Sequence, residues 1–416
     1  MSEKTTCVVV GGGPAGMVAA LLLARGGVEV TVLEKHADFL RDFRGDTVHP
    51  STLRLLDELG LFEQFDALPH TKLEGWGLDL PDGRSAKVLD FTRLRLPHRY
   101  IAMVPQWDLL DLLAEAGRKE PTFTLRMSHD VTGLLYESGR VVGVRYDSPD
   151  GPGELRADLT IACDGRWSLC RREAGLIPRE YPINADIWWF RLPAAEGVID
   201  TLLPRFKDGL FFAVIPRQGY LQMGQFLHKG ADARMRARGI EALRRDIATA
   251  LPELSDAAQD LESMDDVKLL DIRLNRLRRW YTDGLLCIGD AAHAMSPLGG
   301  VGINLAVQDA VAAATLLAEP LRDHRVTNAD LAAVQRRRTL PTVVTQTLQR
   351  FLHAVMGRAL AGRMPAPRKL LPVLAHFPQL SAVPAYLMGV GVRPEHAPEF
   401  ARRAPQPVPA SAVEKD

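Results

Sequence analysis

A carboxylate, Asp290, stands between an apolar run (GLLCI, residues 284–288) and a glycine-rich stretch containing Gly299, Gly300 and Gly302. The run reads as a buried strand. The residues that follow, INLAVQDAVAAATLLAEPL, have the Ala/Leu content and apolar spacing of a helix. A helix start offers unpaired backbone N–H groups and the positive end of a dipole, which suit an electron-rich ligand. Small residues alone would also fit a packed strand–loop–helix join, but an Asp between strand and loop is a poor choice for packing.

A second constellation opens the chain. Residues 5–10 (TTCVVV) are β-branched and apolar, a strand signal. Gly11, Gly13 and Gly16 follow in G-x-G-x-x-G register, with Pro14 and Ala15 between them, then a helix from about Ala15 to Arg25 and a strand ending in Glu34 and Lys35. In this pattern Gly11 makes the tight turn, Gly13 admits a pyrophosphate to the backbone, and Gly16 lets helix and strand pack closely. An acid at Glu34 accepts hydrogen bonds from ribose hydroxyls and disfavours the 2′-phosphate of NADP at this site. The unit predicts a bound dinucleotide, and the segment by itself leaves NAD and FAD both open.

Further along, Arg44 lies between the Glu34 strand and a helix expected from Ser51 to Leu59, and Gln106 opens another helix. Arg44 reads either as a surface cation or as a phosphate or flavin contact, and Gln106 either as a cap or as a cofactor contact. Residues 159–163 (LTIAC) read as a strand ending in Asp164 and Gly165, a pair that is most often a plain turn. Here, however, two strands end in an Asp paired with Gly. With the glycine-rich start, they point to one long ligand crossing a sheet edge.

Bulk properties exclude several classes. The chain has 416 residues, 46% hydrophobic, with 51 basic and 51 acidic side chains. That length supports two domains, and the balance offers no electrostatic pull toward nucleic acid. No signal-peptide pattern opens the sequence, and apolar stretches such as residues 17–24 are too short for a membrane span, so a soluble cytoplasmic protein is expected. The four cysteines lack metal or CxxC spacing, which predicts buried thiols and no metal site.

Taken together, Gly11/Gly13/Gly16, then Asp164, Gly165, Ser168 and Arg171, then GDAAH at residues 289–293 with Pro297, resemble the signatures of the FAD-dependent aromatic hydroxylases. These are single-component flavoprotein monooxygenases with the p-hydroxybenzoate hydroxylase fold. The resemblance covers roughly residues 5–345. It implies an α/β fold: a Rossmann-like FAD-binding domain, an inserted, mostly antiparallel β-sheet substrate domain, and C-terminal helices. The FAD-binding domain would comprise residues 1–72, 99–182 and 268–345, and the substrate domain 73–98 and 183–267. A helical segment would occupy 346–404 and a disordered tail 405–416. The resemblance implies non-covalent FAD held by Gly11, Gly13, Pro14, Ala15, Gly16, Glu34, Lys35, Arg44, Gln106, Asp164, Gly165 and Asp290, and by the backbone at Gly302, Ile303 and Asn304. Pro297, Gly299 and Gly300 would wall the reactive flavin carbon. NADH or NADPH would donate hydride transiently, and an FAD C4a-hydroperoxide would hydroxylate a small aromatic molecule with O2 as cosubstrate, in a monomer or homodimer.

Residues 187–192, 209–216 and 219–226 read as strands of the substrate sheet, and the region around residues 72–88 is expected to join it. Trp189, Phe211, Gln222 and Gly224 are the candidate substrate contacts, each also readable as ordinary sheet core. His293 reads better as a residue holding its loop than as a proton relay, and Arg336, Arg337 and Arg338 read as a solvated face. No general base stands out among His49, Arg191, Tyr220, Gln222 and His228. Two other readings stay open: an FAD-dependent reductase of isoprenoid or other double bonds, and a flavin-free binding module on the same fold.

Overall fold

The protein is described here by a computed structural model covering residues 3–40, 47–79, 85–193, 203–217, 219–360 and 376–405. At its centre the strand Glu3–Val10 runs parallel to Val30–Leu33 on one side and to Gly151–Ala162 on the other. Phe123–Arg126 and Leu285–Cys287 extend the sheet outward, also parallel. A hairpin, Asp130–Glu137 and Arg140–Ser148, branches antiparallel from Gly151–Ala162. The central strands are covered on both faces and therefore read as continuous apolar runs: Val8, Val9, Leu159 and Ile161 are fully buried.

Helix Pro14–Arg25 starts directly after Gly13, with proline at a position where a missing N–H costs nothing. Residues 15–25 are all buried, because the helix lies between the sheet and helix Val301–Arg322. A fully buried Leu such as Leu21, Leu22 or Leu23 contributes about 1.5–3 kcal/mol, so packing more than propensity holds this helix. Helix Val301–Arg322 is long and apolar enough to cross a membrane, yet 78% of its apolar window is buried inside the protein, which makes it a core helix.

Parallel pairing places the functional turns together. Val10 pairs with Ala162, and Ala162 with Cys287, so the carboxyl ends of these strands fall on one edge. The turns at Gly11, at Asp164 and Gly165, and at Gly289 and Asp290 follow directly and are neighbours, the arrangement in which open α/β sheets bind ligands.

A second sheet has five antiparallel strands in the spatial order Leu203–Lys207, Leu210–Arg217, Tyr220–His228, Ala185–Pro193 and Lys268–Leu270. Strand alternation divides its side chains. One face buries Trp188, Phe190, Phe212 and Met223 against Leu243 and Ile247 of helix Ile240–Ala250. The other turns Ile187, Trp189, Phe211, Ala213 and Phe226 toward Met295, Leu298 and Leu305 of the first domain's loop and core helix.

Three expectations need correction or limits. The strands near residues 72–88 do not join the five-stranded sheet: Thr71–Leu73 pairs with Ile101–Met103, and Gly75–Asp79 pairs with Ser85–Asp90 as a local hairpin. Closing so short a loop costs little entropy compared with a long-range pairing, and Leu73, Leu89 and Phe91 find their core with Ala385 and Val390. A boundary between residues 345 and 346 falls inside one continuous helix, Asn328–Leu360. Arg44 and residues 406–416 lie outside the described residues.

Candidate cofactor and substrate site

The glycines of the first turn serve different ends. Gly11 has φ +100°, and a Cβ there would lie 2.6 Å from the Cys163 carbonyl oxygen. A Cβ on Gly16 would lie 2.0 Å from the Gly11 carbonyl oxygen, so helix and strand pack only if this residue is glycine. At Gly13 a Cβ would meet nothing within 4 Å: the backbone faces open space. Glu34 is buried against this turn, its carboxylate accepting from the Gly12 N–H at 2.8 Å and the His36 N–H at 3.0 Å. Lys35 is exposed beside it, and Gln106 begins the helix Gln106–Arg118 with its side chain half-buried.

At the second turn, Asp164 Oδ2 accepts from the Cys170 N–H at 3.0 Å, while Oδ1 is buried without a hydrogen-bond partner. Gly165 has φ +78° and open space where a Cβ would stand. Ser168 caps the short helix Leu169–Glu173 by accepting from the Arg171 N–H at 2.9 Å. The buried Arg171 side chain then reaches across to the third turn, donating to the Ala291 carbonyl at 3.1 Å and the Arg166 carbonyl at 2.9 Å. Arg166, which reading the residues did not single out, lies with Nη2 3.5 Å from Asp290 Oδ2.

The third turn is braced from beneath. Asp309 is fully buried on helix Val301–Arg322, and its Oδ2 accepts from the Gly289 N–H at 3.2 Å and meets His293 Nε2 at 2.5 Å. Its Oδ1 accepts from Arg338 Nε at 2.9 Å. Burial pushes the Asp309 carboxyl up, but His293 and Arg338 outweigh it and hold the group below the usual carboxylate range. His293 thus holds the loop, as the residue-level reading favoured. Arg338 is not part of a solvated face: it is fully buried, with Glu395 at 3.4 Å on its far side, while Arg336 and Arg337 are exposed.

The loop carrying Pro297 is clamped from both flanks. Gln346, Gln349 and His353, on one face of helix Asn328–Leu360, hold the loop and the strand Leu274–Leu277 that leads toward it. Gln346 Nε2 donates to the Asn275 carbonyl at 2.7 Å; Gln349 Nε2 donates to the Ser296 carbonyl at 2.8 Å, and His353 Nε2 meets Ser296 Oγ at 2.6 Å. On the other flank, Thr47 Oγ1 donates to the Gly300 carbonyl at 3.0 Å, and the buried His49 ring meets the Met388 carbonyl at 3.0 Å. Burial pushes both imidazoles down, to about 4, leaving them neutral packing and hydrogen-bonding groups. Of these residues only His49 was singled out, as a candidate base; Gln346, Gln349 and His353 were not, since a polar stripe on a helix looks the same in sequence whether solvated or buried.

Gly299 and Gly300 have φ +83° and +64°, and helix Val301–Arg322 starts at once with no side-chain cap. Its first-turn N–H groups, those of Val301, Gly302 and Ile303, have no intrahelical acceptor, while the Asn304 N–H is the first placed to bond back to the Gly300 carbonyl. The Asn304 side chain turns away, accepting from Ser51 Oγ at 2.5 Å and Thr52 Oγ1 at 3.0 Å. An open cradle at Gly13, the orphaned Asp164 Oδ1 and an uncapped helix start along one edge fit a long, polar, electron-rich cofactor such as FAD. Thiol chemistry does not fit: burial raises Cys7, Cys163, Cys170 and Cys287 above the ordinary thiol range. Among the described residues no cluster of metal-ligating side chains occurs.

Over the Pro297 loop lies the other side of the five-stranded sheet, half-buried at Trp189, Phe211 and Ala213 and packed against Met295 and Leu298. Trp189 pairs with Gly224, and Phe211 with Phe226 at a ring separation of 4.6 Å. Trp188 and Phe212 belong to the opposite, fully packed face. Gln222 is buried, its Oε1 accepting from Arg217 Nη2 at 3.1 Å.

Comparison with known proteins agrees with this frame. The model of the FAD binding domain family matches residues 4–348. A 6-methylpretetramide 4-monooxygenase of Streptomyces rimosus is 36% identical over 93% of this chain and 96% of its own length. A 12-dehydrotetracycline 5-monooxygenase/anhydrotetracycline 6-monooxygenase of Streptomyces rimosus subsp. rimosus is 33% identical over 73% of this chain, which spans 60% of that protein. The fold is shared with an anhydrotetracycline hydroxylase from Streptomyces rimosus, with a TM-score of 0.74 at 23% identity over 95% of this chain and 77% of the other. The chain belongs to the FAD binding domain family and is an FAD-dependent aromatic monooxygenase.

Proposed function

We propose that the protein hydroxylates a flat polycyclic aromatic molecule, with O2 as cosubstrate and NADH or NADPH as hydride donor. The observation that carries this reading is the apolar face of half-buried Trp189, Phe211 and Ala213 with buried Phe226, packed against the loop of Met295 and Leu298. The ring systems named for the relatives support it.

In this reading Glu34 binds the adenosine ribose. The turn of Gly11, Gly13 and Gly16, with Pro14, Ala15 and Lys35 beside it, receives the pyrophosphate. Asp164, Gly165 and Asp290 hold the middle of the cofactor, and Arg44 and Gln106 line it. Backbone N–H groups of Gly302, Ile303 and Asn304 face the flavin pyrimidine edge, where a helix start stabilises negative charge without a titrating side chain. Bound FAD supplies hydride acceptance and oxygen activation. Pro297, Gly299 and Gly300 shape the wall next to its reactive carbon, and the apolar sheet face excludes the water that would compete with oxygen transfer.

Residues 1–72, 99–182 and 271–360 make the cofactor half and 183–270 the substrate half, with 73–98 beside it. The protein works in the cytoplasm as a monomer or homodimer. The test is to incubate FAD-loaded protein with NADH or NADPH and a panel of mono- and polycyclic phenols, following O2 uptake, peroxide and product mass. Gain of one oxygen atom by a polycyclic probe, without stoichiometric peroxide, is the expected result. NAD(P)H oxidation that yields only peroxide with every probe would refute the reading.

A further inference from the structure

Apolar side chains exposed singly are ordinary, whereas a contiguous exposed patch calls for an occupant. Of the thirteen large apolar side chains exposed among the described residues, six fall in two neighbouring elements between residues 328 and 389. Leu340 and Phe351 stand on helix Asn328–Leu360. Phe377, Leu380, Val383 and Tyr386 recur every third residue through the 3₁₀ turn Pro378–Ser381 and helix Ala382–Gly389.

On the long helix the spacing makes a stripe. Leu340, Val344, Leu348 and Phe351 follow at intervals of four, four and three, positions that share one face. Val344 and Leu348 are half-buried, and Phe351 is 63% exposed. The stripe lies opposite the face on which Gln346, Gln349 and His353 turn inward to clamp the loop. Residues three apart line one side of the second element. Its Leu387 and Met388 meet Pro341 and Thr345 of the long helix across a small cavity, so the two apolar rows are neighbours.

The charge around this face is of one sign. From residue 331 to residue 394 the sequence holds no acid, yet it holds eight arginines and one lysine. The balanced total of 51 basic and 51 acidic side chains hides this asymmetry. Arg337 and Arg338 are occupied by Glu395 and Asp309. Arg336 and Arg358 are exposed beside the stripe and make no ion pair among the described residues. Arg350, also exposed, lies over the Tyr181 ring at 5.2 Å.

Leu and Phe along one side of a helix, with arginine beside them and no acid, is the composition that seats at the headgroup boundary of an anionic bilayer. A second copy fits worse. A two-fold axis would set arginine against arginine, with no carboxylate on the face to pair.

We propose that this face docks reversibly on an anionic lipid surface. Phe351, Val383 and Tyr386 enter the acyl boundary, and Arg336, Arg350 and Arg358 meet the phosphate headgroups. The proposal is independent of the aromatic monooxygenase reading: it concerns where the protein sits and leaves the oxidised molecule open.

The experiment pellets the FAD-loaded full chain with vesicles of phosphatidylglycerol or of phosphatidylcholine, at low and high salt. Binding to phosphatidylglycerol alone, weakened by salt, is expected. Arg336→Gln combined with Arg358→Gln should weaken it about 25-fold, about 5-fold for each cation removed. Phe351→Asn combined with Val383→Asn should weaken it at least about 10-fold. Phe206→Asn, at an exposed aromatic of the five-stranded sheet, should leave it unchanged. Retained yellow colour and thermal midpoint verify the fold of each variant. No pelleting with phosphatidylglycerol overturns the proposal, as does equal pelleting with both lipids or pelleting undiminished in the two double variants. A dimer that Phe351→Asn dissociates, without vesicle binding, gives the face to a second copy and overturns it. Soluble polyglutamate that binds wild type where vesicles do not gives the face to an acidic chain and overturns it too.

Discussion

Arg171 donates from its guanidinium to the backbone carbonyl of Ala291 at 3.1 Å, joining two turns 120 residues apart in sequence. The same side chain donates to the Arg166 carbonyl at 2.9 Å, so one buried cation fixes the spacing between the Asp164 turn and the Asp290 turn. Strand register brings the two turns to one edge, and Arg171 locks them there. A cofactor contacting both turns then meets a preformed surface.

Replacing Arg171 with Ala should therefore weaken FAD binding more than it weakens the fold. Hydrogen bonds from a charged donor contribute about 1.5–3 kcal/mol each, and two are lost. Flavin-fluorescence titration of apoprotein should show affinity reduced at least about 10-fold, with Arg171→Lys intermediate because an ammonium cannot span both carbonyls in the planar geometry of a guanidinium. Wild-type affinity in Arg171→Ala would show that the turns are set by the sheet alone.

The three-arginine run gives a sharper contrast. Arg338 is fully buried between Asp309 and Glu395, and its removal takes one of two partners from each buried carboxylate, leaving His293 on Asp309 and Arg337 on Glu395. Arg338→Met should cost about 3–5 kcal/mol of stability. Arg336→Ala, at an exposed position, should stay within about 0.5 kcal/mol of wild type. Urea unfolding of the two variants checks the difference.

That contrast also explains what the sequence could and could not reveal. The glycine turn, the Asp164 turn and the Asp290 turn were legible because their logic is local: a strand, a few small residues, a helix start. Their mutual placement followed from parallel pairing. Arg338 was misread because its partners, Asp309 and Glu395, lie 29 and 57 residues away, and a charge run carries no mark of what it will meet. Gln346, Gln349 and His353 escaped for the same reason. Trp188 and Trp189 read alike as sheet aromatics, and only the register to Gln225 and Gly224 shows that one is core and the other faces the site.

Acid should destabilise the protein through two histidines that flank the Pro297 loop. His49 and His353 are pushed by burial from 6.5 to about 4. Between those values the unfolded chain binds protons that the folded chain refuses, so stability is retained above about pH 6.5, falls as pH drops through that window, and levels off below about 4. Thermal midpoints measured from about pH 7 to about pH 5 should fall, and the slope should be shallower in His353→Gln and in His49→Asn. Equal slopes in wild type and both variants would assign the acid sensitivity elsewhere.

Gly13 and Gly16 sit three positions apart in one motif, yet substitution should separate fold from cofactor. At Gly16 a Cβ would lie 2.0 Å from the Gly11 carbonyl, so Gly16→Ala must push helix Pro14–Arg25 off the sheet and should not yield folded protein. At Gly13 a Cβ meets nothing within 4 Å and φ is −73°, which any residue adopts. Gly13→Ala should therefore leave the apoprotein's stability within about 1 kcal/mol, the cost of a poorer helix cap. Its FAD affinity should nevertheless drop at least about 10-fold, because the methyl group occupies the space a pyrophosphate needs. Circular dichroism melts of the apoproteins and flavin titration separate the two effects. Full FAD affinity in Gly13→Ala would mean that the open space at Gly13 is not where the dinucleotide lies.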